Sequence, residues 1–427
     1  MFGLRCLLLY SYAHSYTGEV LSSLKIASIH ARDAPLSLSR DRSFVDHEIT
    51  CGIAVGGEDR DSLESNFSML WTELTNLQET GLTLSLLPSH PHVHVRLVET
   101  CDMKCMATME GLSKANAANG ACLWCLASKA DMSDLSKLWS TTRNKMADHA
   151  RAAASASFAA TSGIKSSSLL PNVPHEDMVP DVLHLQMRLL GQLLNQMFRF
   201  VISQGSMPLL KRVEEHIRND IKIAHFAFVT ETDEAASMEL DEGFGVYRWP
   251  SMTGTQLNQI FGNFDLSIVY ADPDLLSRHY GMWQDLSTLI VSLHAFPGEP
   301  QYLAPLVFRD TALRYAKAWC FLADTEGNKV FPYLHVLVNH VHEFLARFGS
   351  LTPFGLQSLE FNNQEHRKTY YKVCRVVVEC FESWFRTLNR THSSQRMQYS
   401  ASSDVHFHQC AGHQQTPCGL QHDHDAA

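Results

Sequence analysis

No run of apolar residues in this 427-residue sequence approaches the roughly 18 that a membrane-spanning helix needs, so no transmembrane segment is predicted. Basic residues are also few, because 35 Lys and Arg stand against 45 Asp and Glu, a formal charge of -10. A field of that sign opposes a polyanionic partner, so any contact with nucleic acid must come from local basic patches. The first residues lack a clear cleavage site after a short apolar patch, which argues against secretion.

The cysteines do not follow the pattern of a small disulfide-stabilised protein. They are odd in number, 11, and they are scattered through a long chain. This distribution favours a reduced protein with one metal site over a disulfide framework. An apolar fraction of 45% and a charged fraction of 19% are typical of a globular protein. At this length we expect two or three subdomains.

The N-terminal third contains strand and helix patterns in alternation. Residues 1–48 show no clear periodicity and stay unassigned, whereas ITCGIAV at 49–55 is a candidate buried strand. Asp61, with Glu64 three residues later, predicts a capping box for a helix that ends at Gly81. The order of elements therefore predicts a mixed α/β fold.

Asp102 follows a second predicted strand, HVHVRLV at 92–98, in which apolar and polar residues alternate. In mixed α/β folds, catalytic and ligand-binding groups converge beyond the carboxyl ends of the strands. An Asp at such a position is also a common helix cap or turn residue. The sequence alone leaves both interpretations open.

Cys122 and Cys125 are spaced so that two thiolates can occupy adjacent vertices of a tetrahedral zinc site. The same pair could be a redox couple or two buried thiols. The missing ligands are sought in YLHVLVNHVHEFL, which contains His335, His340 and His342. On an ideal helix His335 and His342 share a face, while His340 is rotated from His335 by about 140°. Pairing His335 with His340 therefore requires a helix end or a distortion between them.

The remainder of the chain changes character several times. Residues 131–178 are rich in Ala and Ser and are predicted to be a loop or linker. Helical periodicity begins at Asp181 and continues through a helical segment, 179–330, and a second one, 331–390. The last segment, 391–427, is polar and is predicted to be disordered.

These elements resemble the catalytic core shared by V(D)J recombination-activating (RAG) recombinases and Transib-type transposases. In that family one strand of an RNase H-like sheet ends in an Asp, which a Lys, a Gly-Leu turn and a zinc-binding Cys-x-x-Cys then follow. Here the matching residues are Asp102, Lys104, Gly111, Leu112, Cys122 and Cys125. The resemblance spans roughly residues 49–370.

The later elements follow in the same order. The family's Asp-x-Leu-His element is matched by residues 181–184, and its Gly-containing turn is similar to residues 249–266. A His-x4-His zinc pair, matched by His335 and His340, precedes a helix with a catalytic Glu, matched by Glu360. The resemblance thus selects His340 over His342 as the fourth zinc ligand.

The resemblance implies an α/β fold in which a partial RNase H-like sheet, with its Cys-x-x-Cys at 49–130, carries a large, mostly α-helical insertion and a Cys2His2 zinc site. Asp102 and Glu360 would hold catalytic Mg2+ or Mn2+, which in such enzymes drive DNA strand cleavage and transfer. The structural zinc would bind Cys122, Cys125, His335 and His340. DNA as partner, a nuclear location and a homodimer are further implications.

The family's first catalytic Asp, on the opening strand, has no clear match. The acidic candidates are Asp33, Asp41 and Asp46, of which Asp33 fits least poorly. We therefore expect a chain that begins inside the catalytic domain and encodes an incomplete, inactive transposase relative. Two alternatives stay open. One is a non-enzymatic, zinc-stabilised helical scaffold that binds protein or DNA, and the other is a redox protein using its Cys-x-x-Cys pair.

Overall fold

The computed structural model describes residues 3–14, 23–33, 48–55, 59–83, 92–113, 119–230, 240–323 and 331–355. Several residues and segments predicted from the sequence are not among these ranges. Glu360, Asp41, Asp46, the end of the 331–390 segment and the polar tail at 391–427 lie outside the described residues. The described residues combine one mixed sheet, one small antiparallel sheet and a larger number of helices.

The mixed sheet is built around the strand that precedes Asp102. Its six strands are β1 (Gly3–His14), β2 (Ser23–Asp33), β3 (Glu48–Val55), β4 (Leu82–Thr83), β5 (His92–Cys101) and β6 (Met178–Pro180). Strands β3, β2 and β1 form an antiparallel meander, and β1 pairs in parallel with β5. The other edge of β5 pairs antiparallel with β4 and parallel with β6. The strands predicted at 49–55 and 92–98 are therefore confirmed as β3 and β5.

The region left unassigned by its periodicity, 1–48, contributes β1 and β2. Strand β1 lies between β2 and β5, in a register that sets Tyr10 opposite Cys101. Central strands carry near-continuous apolar runs and not clean alternation, which explains why CLLLY in β1 gives no period-2 signal. The structure thus adds two strands to the region that periodicity left unassigned, and the first of them pairs in parallel with β5.

Helix α1 (Arg60–Thr80) begins two residues earlier than predicted. Its N-cap is Asp59, whose Oδ1 accepts a 2.8 Å hydrogen bond from the Ser62 backbone N–H, so the predicted capping box of Asp61 and Glu64 is wrong. The end is confirmed at Gly81, which has a φ of 71° and donates its N–H to the Leu77 carbonyl. A residue with a side chain would be strained at that φ.

The predicted linker contains two helices. Helices α3 (Lys145–Ala154) and α4 (Ala156–Ser162) lie inside 131–178 and are capped by Asn144 and Ser155. Their Ala-rich sequence has a high helix propensity, and each cap residue accepts a hydrogen bond from the first turn. The weak apolar periodicity that suggested a loop reflects their exposed faces, not an absence of structure.

The helices after Asp181 lie within the spans that periodicity predicts. Three of them pack on the long, largely buried helix Val182–Ser203, and three pack on the helix Pro305–Ala323. In addition to α2 (Met103–Met109), they are α5 (Val182–Ser203), α6 (Met207–Glu215), α7 (Gly254–Asn263), α8 (Pro273–His294), α9 (Pro305–Ala323), α10 (Pro332–Asn339) and α11 (Val341–Phe348). A three-stranded antiparallel sheet, β7 (Val229–Thr230), β8 (Leu240–Phe244) and β9 (Tyr247–Pro250), precedes α7. Within the described ranges no helix is long and apolar enough to cross a membrane.

The cap assignment at α1 can be tested by comparing Asp59→Ala with Asp61→Ala. We expect Asp59→Ala to lower the free energy of unfolding by about 1 kcal/mol, because the first-turn N–H of Ser62 loses its acceptor. Asp61 is exposed and offers only a favourable charge near the helix N-terminus, so its loss should cost about 0.3 kcal/mol. Urea unfolding measures both, and an equal or larger effect at Asp61 would contradict the assignment.

Candidate metal centre

The two cysteines lie in a tight loop that folds back on itself. The Ala121 N–H donates to the Ala127 carbonyl at 3.1 Å, and the Trp124 N–H points at Cys122 Sγ at 3.4 Å. Gly120 enters this loop with a φ of 56°, and a Cβ there would lie 2.2 Å from the Ser162 carbonyl oxygen. Only glycine fits such an approach, so α4 and the cysteine loop are packed backbone to backbone.

Arg143 binds the backbone of the cysteine loop. Its buried guanidinium donates through Nε to the carbonyls of Cys122 and Cys125, at 3.0 and 3.1 Å. Nη2 donates to the carbonyls of Gly120 and Ser162, at 3.2 and 2.8 Å. A buried cation on four carbonyls fixes the backbone and favours negative charge on the nearby sulfurs. Sequence analysis missed Arg143, because no local spacing connects it to the cysteines.

The histidine segment is broken where the ligand geometry requires it. Helix α10 ends at Asn339, His340 has the non-helical angles φ -123° and ψ -32°, and α11 begins at Val341. This is the distortion that pairing His335 with His340 requires. His342, which periodicity alone would choose, is half-buried, and its Nδ1 has no hydrogen-bond partner among the described residues.

The four predicted ligands come together as one buried cluster. His335 Nε2 lies 3.4 Å from Cys125 Sγ, and His340 Nε2 lies 3.4 Å from Cys122 Sγ. The four ligand atoms all lie within 4.8 Å of one another. A tetrahedral zinc ion, about 2.3 Å from sulfur and about 2.0 Å from nitrogen, holds neighbouring S and N ligands about 3.5 Å apart. The predicted Cys2His2 set is therefore confirmed as a cluster that could hold zinc.

Polar groups behind the histidines limit the rotation of the imidazoles. Glu343 Oε2 and Thr141 Oγ1 each lie 3.5 Å from His340 Nδ1, and the Thr141 hydroxyl donates to Glu343 at 2.6 Å. Asn339 lies against the same nitrogen of the other ring, with Nδ2 3.3 Å from His335 Nδ1. Because both histidines face the cluster through Nε2, these contacts set the orientation of each ring.

Protonation in the metal-free cluster is divided unequally between its members. Burial disfavours charge at Cys122, but the hydrogen bond from Cys125 and the His340 imidazolium outweigh it and lower the pKa of Cys122. The hydrogen bond to Cys122 and burial raise the pKa of Cys125. Burial also disfavours charge at His340, but the Cys122 thiolate and Glu343 raise its pKa to about 9. Without metal, a thiolate and an imidazolium therefore form a pair.

Trp124 connects the cluster to the sheet. Its indole Nε1 donates to the Met178 carbonyl of β6 at 2.6 Å, and its ring contacts His340 and Phe344. Strand β6 in turn pairs with the last residues of β5, Glu99 to Cys101. Trp124 therefore connects the cluster to strands β5 and β6, each of which is followed by an aspartate.

Asp102 lies where the sequence predicts, one residue beyond β5, and acts there as a helix cap. Its Oδ1 accepts from the backbone N–H groups of Lys104 and Cys105, at 2.8 and 2.9 Å, at the start of α2. Asp181 occupies the equivalent position after β6 and caps α5. Since Cys101 and Pro180 are register partners, the two aspartates follow neighbouring strand ends. Sequence reasoning matched Asp181 to a motif without recognising this pairing.

Asp33 cannot share a site with Asp102. It pairs with Leu4 of β1, which pairs with Val95 of β5, so Asp33 is level with a residue seven positions before Asp102. At about 3.3 Å per residue, that separation is about 23 Å along the sheet. The candidate Asp33 is therefore too far from Asp102 for the two carboxylates to share a metal site. The predicted acids Glu360, Asp41 and Asp46 lie outside the described residues.

No family model matches this chain, and a search of curated proteins found no match either. The resemblance to recombinases and transposases therefore stays a prediction from the residues and their order.

Substitution of the two competing histidines tests the ligand set. We expect the full chain and His342→Ala to retain one zinc ion per chain, and His340→Ala to lose it. His340 faces both cysteines, whereas His342 is not part of the cluster. Metal content after dialysis against a mild chelator measures this. Loss of a structural zinc should lower stability by several kcal/mol, so thermal unfolding provides a second measure. Equal zinc loss in both variants would contradict the assignment.

Zinc binding should also release protons. The metal requires thiolates and neutral imidazoles, and at pH 7 the free cluster still carries the Cys125 and His340 protons. We expect about two protons released per zinc at pH 7, falling towards one above pH about 9. The same raised pKa of His340 stabilises the metal-free fold below about pH 6.5, and this contribution is lost as the pH rises through about 9. Calorimetry in buffers of different ionisation enthalpy gives the proton count.

Proposed function

We propose that this chain is a transposon-derived relative of DDE-type transposases and recombinases, with an RNase H-like sheet and an incomplete set of catalytic acids. The observation that carries the proposal is the parallel pairing of β1 with β5 beside the β1–β3 meander. An RNase H-like sheet has this arrangement, because its opening meander pairs in parallel with a later strand that ends in an acid. Asp102 ends that strand here.

The zinc cluster adds independent support. Its ligands come from a Cys-x-x-Cys shortly after β5 and from a His-x4-His some two hundred residues later, in the order that the resemblance requires. A structural zinc in this position would join the sheet to the segment that leads to Glu360. Zinc would supply no chemistry there beyond holding these segments together.

The described residues do not fit a two-ion catalytic site. Such a site needs about three carboxylates around two divalent ions, and β1, GLRCLLLYSYAH, contains neither Asp nor Glu. Tyr10 and Cys101 are the last register partners of β1 and β5, and the residues that follow them are Ser11 and Asp102. This supports a protein that descends from strand-cleaving enzymes but lacks the first acid.

DNA is the partner that this proposal implies, and the nucleus is the corresponding location. The net charge of -10 requires the contact to use local basic groups. Lys211 and Arg212 form one exposed basic pair on α6. A second basic group, at 366–368, lies outside the described residues. Formation of a homodimer is part of the same proposal.

A non-enzymatic scaffold is the second candidate, and one observation favours it. Asp102 Oδ1 already accepts two backbone hydrogen bonds as the cap of α2. In this candidate function, the acid has only a structural role, and the zinc-stabilised helical region provides surfaces for protein or DNA.

Restoring the missing acid separates the two candidates. We expect the full chain to show little Mn2+-dependent nicking of duplex DNA, and Ser11→Asp to increase it by at least about tenfold. A second carboxylate beside Asp102 would complete the coordination of the divalent ions. Asp102→Asn in the Ser11→Asp background should abolish the gain. A nicked-plasmid assay in Mn2+ measures both.

Asp33→Asn is the matched control, because this acid lies about seven residues along the sheet from Asp102. It should leave the nicking by Ser11→Asp unchanged. If Ser11→Asp retains its zinc and gains no nicking, the scaffold is the better description. If the increased nicking persists in the Asp102→Asn variant, Asp102 is not part of the metal site.

A further inference from the structure

A cavity outside the metal centre lies between α5 and the segment that joins β9 to α7. Its volume is about 260 Å3, and its walls include His184, Arg188, Gln192, Trp249 and Met252. Typical small-molecule pockets begin at about 300 Å3. The cavity therefore suits a compact ligand and not an extended cofactor.

One wall of the cavity is polar and includes the cation Arg188. Arg188 and Gln192 follow one another by one turn on α5, and none of the residues that line the cavity is Asp or Glu. Arg188 forms no ion pair within the described part of the chain. His184, one turn before it, donates Nδ1–H to the buried Asp181 carboxylate, which fixes the orientation of the imidazole. Such a wall favours an anionic group.

The other wall is apolar and held in place. Met187, Met252 and Leu257 line the cavity, and Trp249 Nε1 donates to Asn195 at 3.1 Å. The Thr253 and Gln256 capping box fixes the start of α7. Gly254 packs on Met187, since a Cβ there would lie 3.3 Å from its sulfur. A flat, partly apolar ring can lie against such a wall while its polar edge reaches the Gln192 amide.

We propose that this cavity binds a nucleotide, with the phosphate on Arg188 and the base between α5 and the Trp249–Met252 segment. The Arg188 guanidinium would bind the phosphate, and the Gln192 amide would bind the polar edge of the base. The apolar wall would contact the flat face of the base. The proposal goes beyond strand cleavage, because it requires neither Asp102 nor a divalent ion.

The glycine at position 191 makes a sharp test. Gly191 lines the cavity within α5, and a Cβ there meets no atom within 4 Å. Gly191→Leu should therefore place its side chain in the cavity without disturbing the helix, in which Leu has the higher propensity. Gly281→Leu is the matched control, because Gly281 is also helical and also has open space around its Cβ, but lies on α8 away from the cavity.

Calorimetric titration of the zinc-loaded full chain with dAMP, inorganic phosphate and a short single-stranded oligonucleotide provides the measurement. We expect saturable binding of dAMP, weakened about tenfold or more in Arg188→Gln, because a charge-assisted hydrogen bond is lost. Gly191→Leu should abolish binding. Gly281→Leu and Lys317→Gln, which removes an exposed cation on α9 away from the cavity, should leave dAMP binding unchanged.

The outcomes separate the sources of the nucleotide. Tighter binding of the oligonucleotide than of dAMP, lost in Gly191→Leu, supports a site for one unit of a DNA strand. Binding of dAMP alone supports a site for the free nucleotide. The proposal is overturned if neither ligand binds, if inorganic phosphate binds as tightly as dAMP, or if Gly191→Leu leaves the affinity unchanged. These results do not depend on nicking, so failure here and failure of the proposed function are distinguishable.

Discussion

The interruption of a helix at His340 is the constraint on which the centre of this structure depends. Its backbone angles end α10 and start α11, and they turn the imidazole to the same side as His335. A continuous helix would set the two rings about 140° apart, with no common ion between them. The break therefore allows two segments, more than two hundred residues apart, to share one set of ligands. Helix α10 packs on α5 and α9, so the same break also positions the helical region.

The buried charged side chains Lys145, Glu110 and Arg143 each have polar partners. Lys145 Nζ lies 2.7 Å from Glu110 and donates to the Leu170 carbonyl at 2.9 Å. Burial, with the nearby Glu110, raises the pKa of Glu99 on β5 well above its usual range, which favours a neutral Glu99 carboxyl. With Arg143 on four carbonyls, these groups form a rigid base under the end of β5.

Three neighbouring strands meet at the edge above that base. In register order their next residues are Ser11, Asp102 and Asp181, which combine one hydroxyl with two carboxylates that cap helices. Such an edge is where α/β proteins carry out their chemistry. Strand β1 contributes no acid to this edge, and Asp102 accepts the first backbone N–H groups of α2. Helix α5 continues from this edge to the separate cavity.

The sequence by itself determined what depends on local pattern: strands β3 and β5, the start of a helix at Asp181, and the ligand types at Cys122 and Cys125, because period and spacing are properties of neighbouring residues. Residue periodicity favoured His342, and only the tertiary structure showed His340 in the cluster. The tertiary structure also separated Asp33 from Asp102, brought Arg143 to the cysteine loop and made β1 a central strand. Each of these depends on groups far apart in sequence, whose meeting is set by packing and strand register. Those long-range interactions leave no periodic trace in the chain.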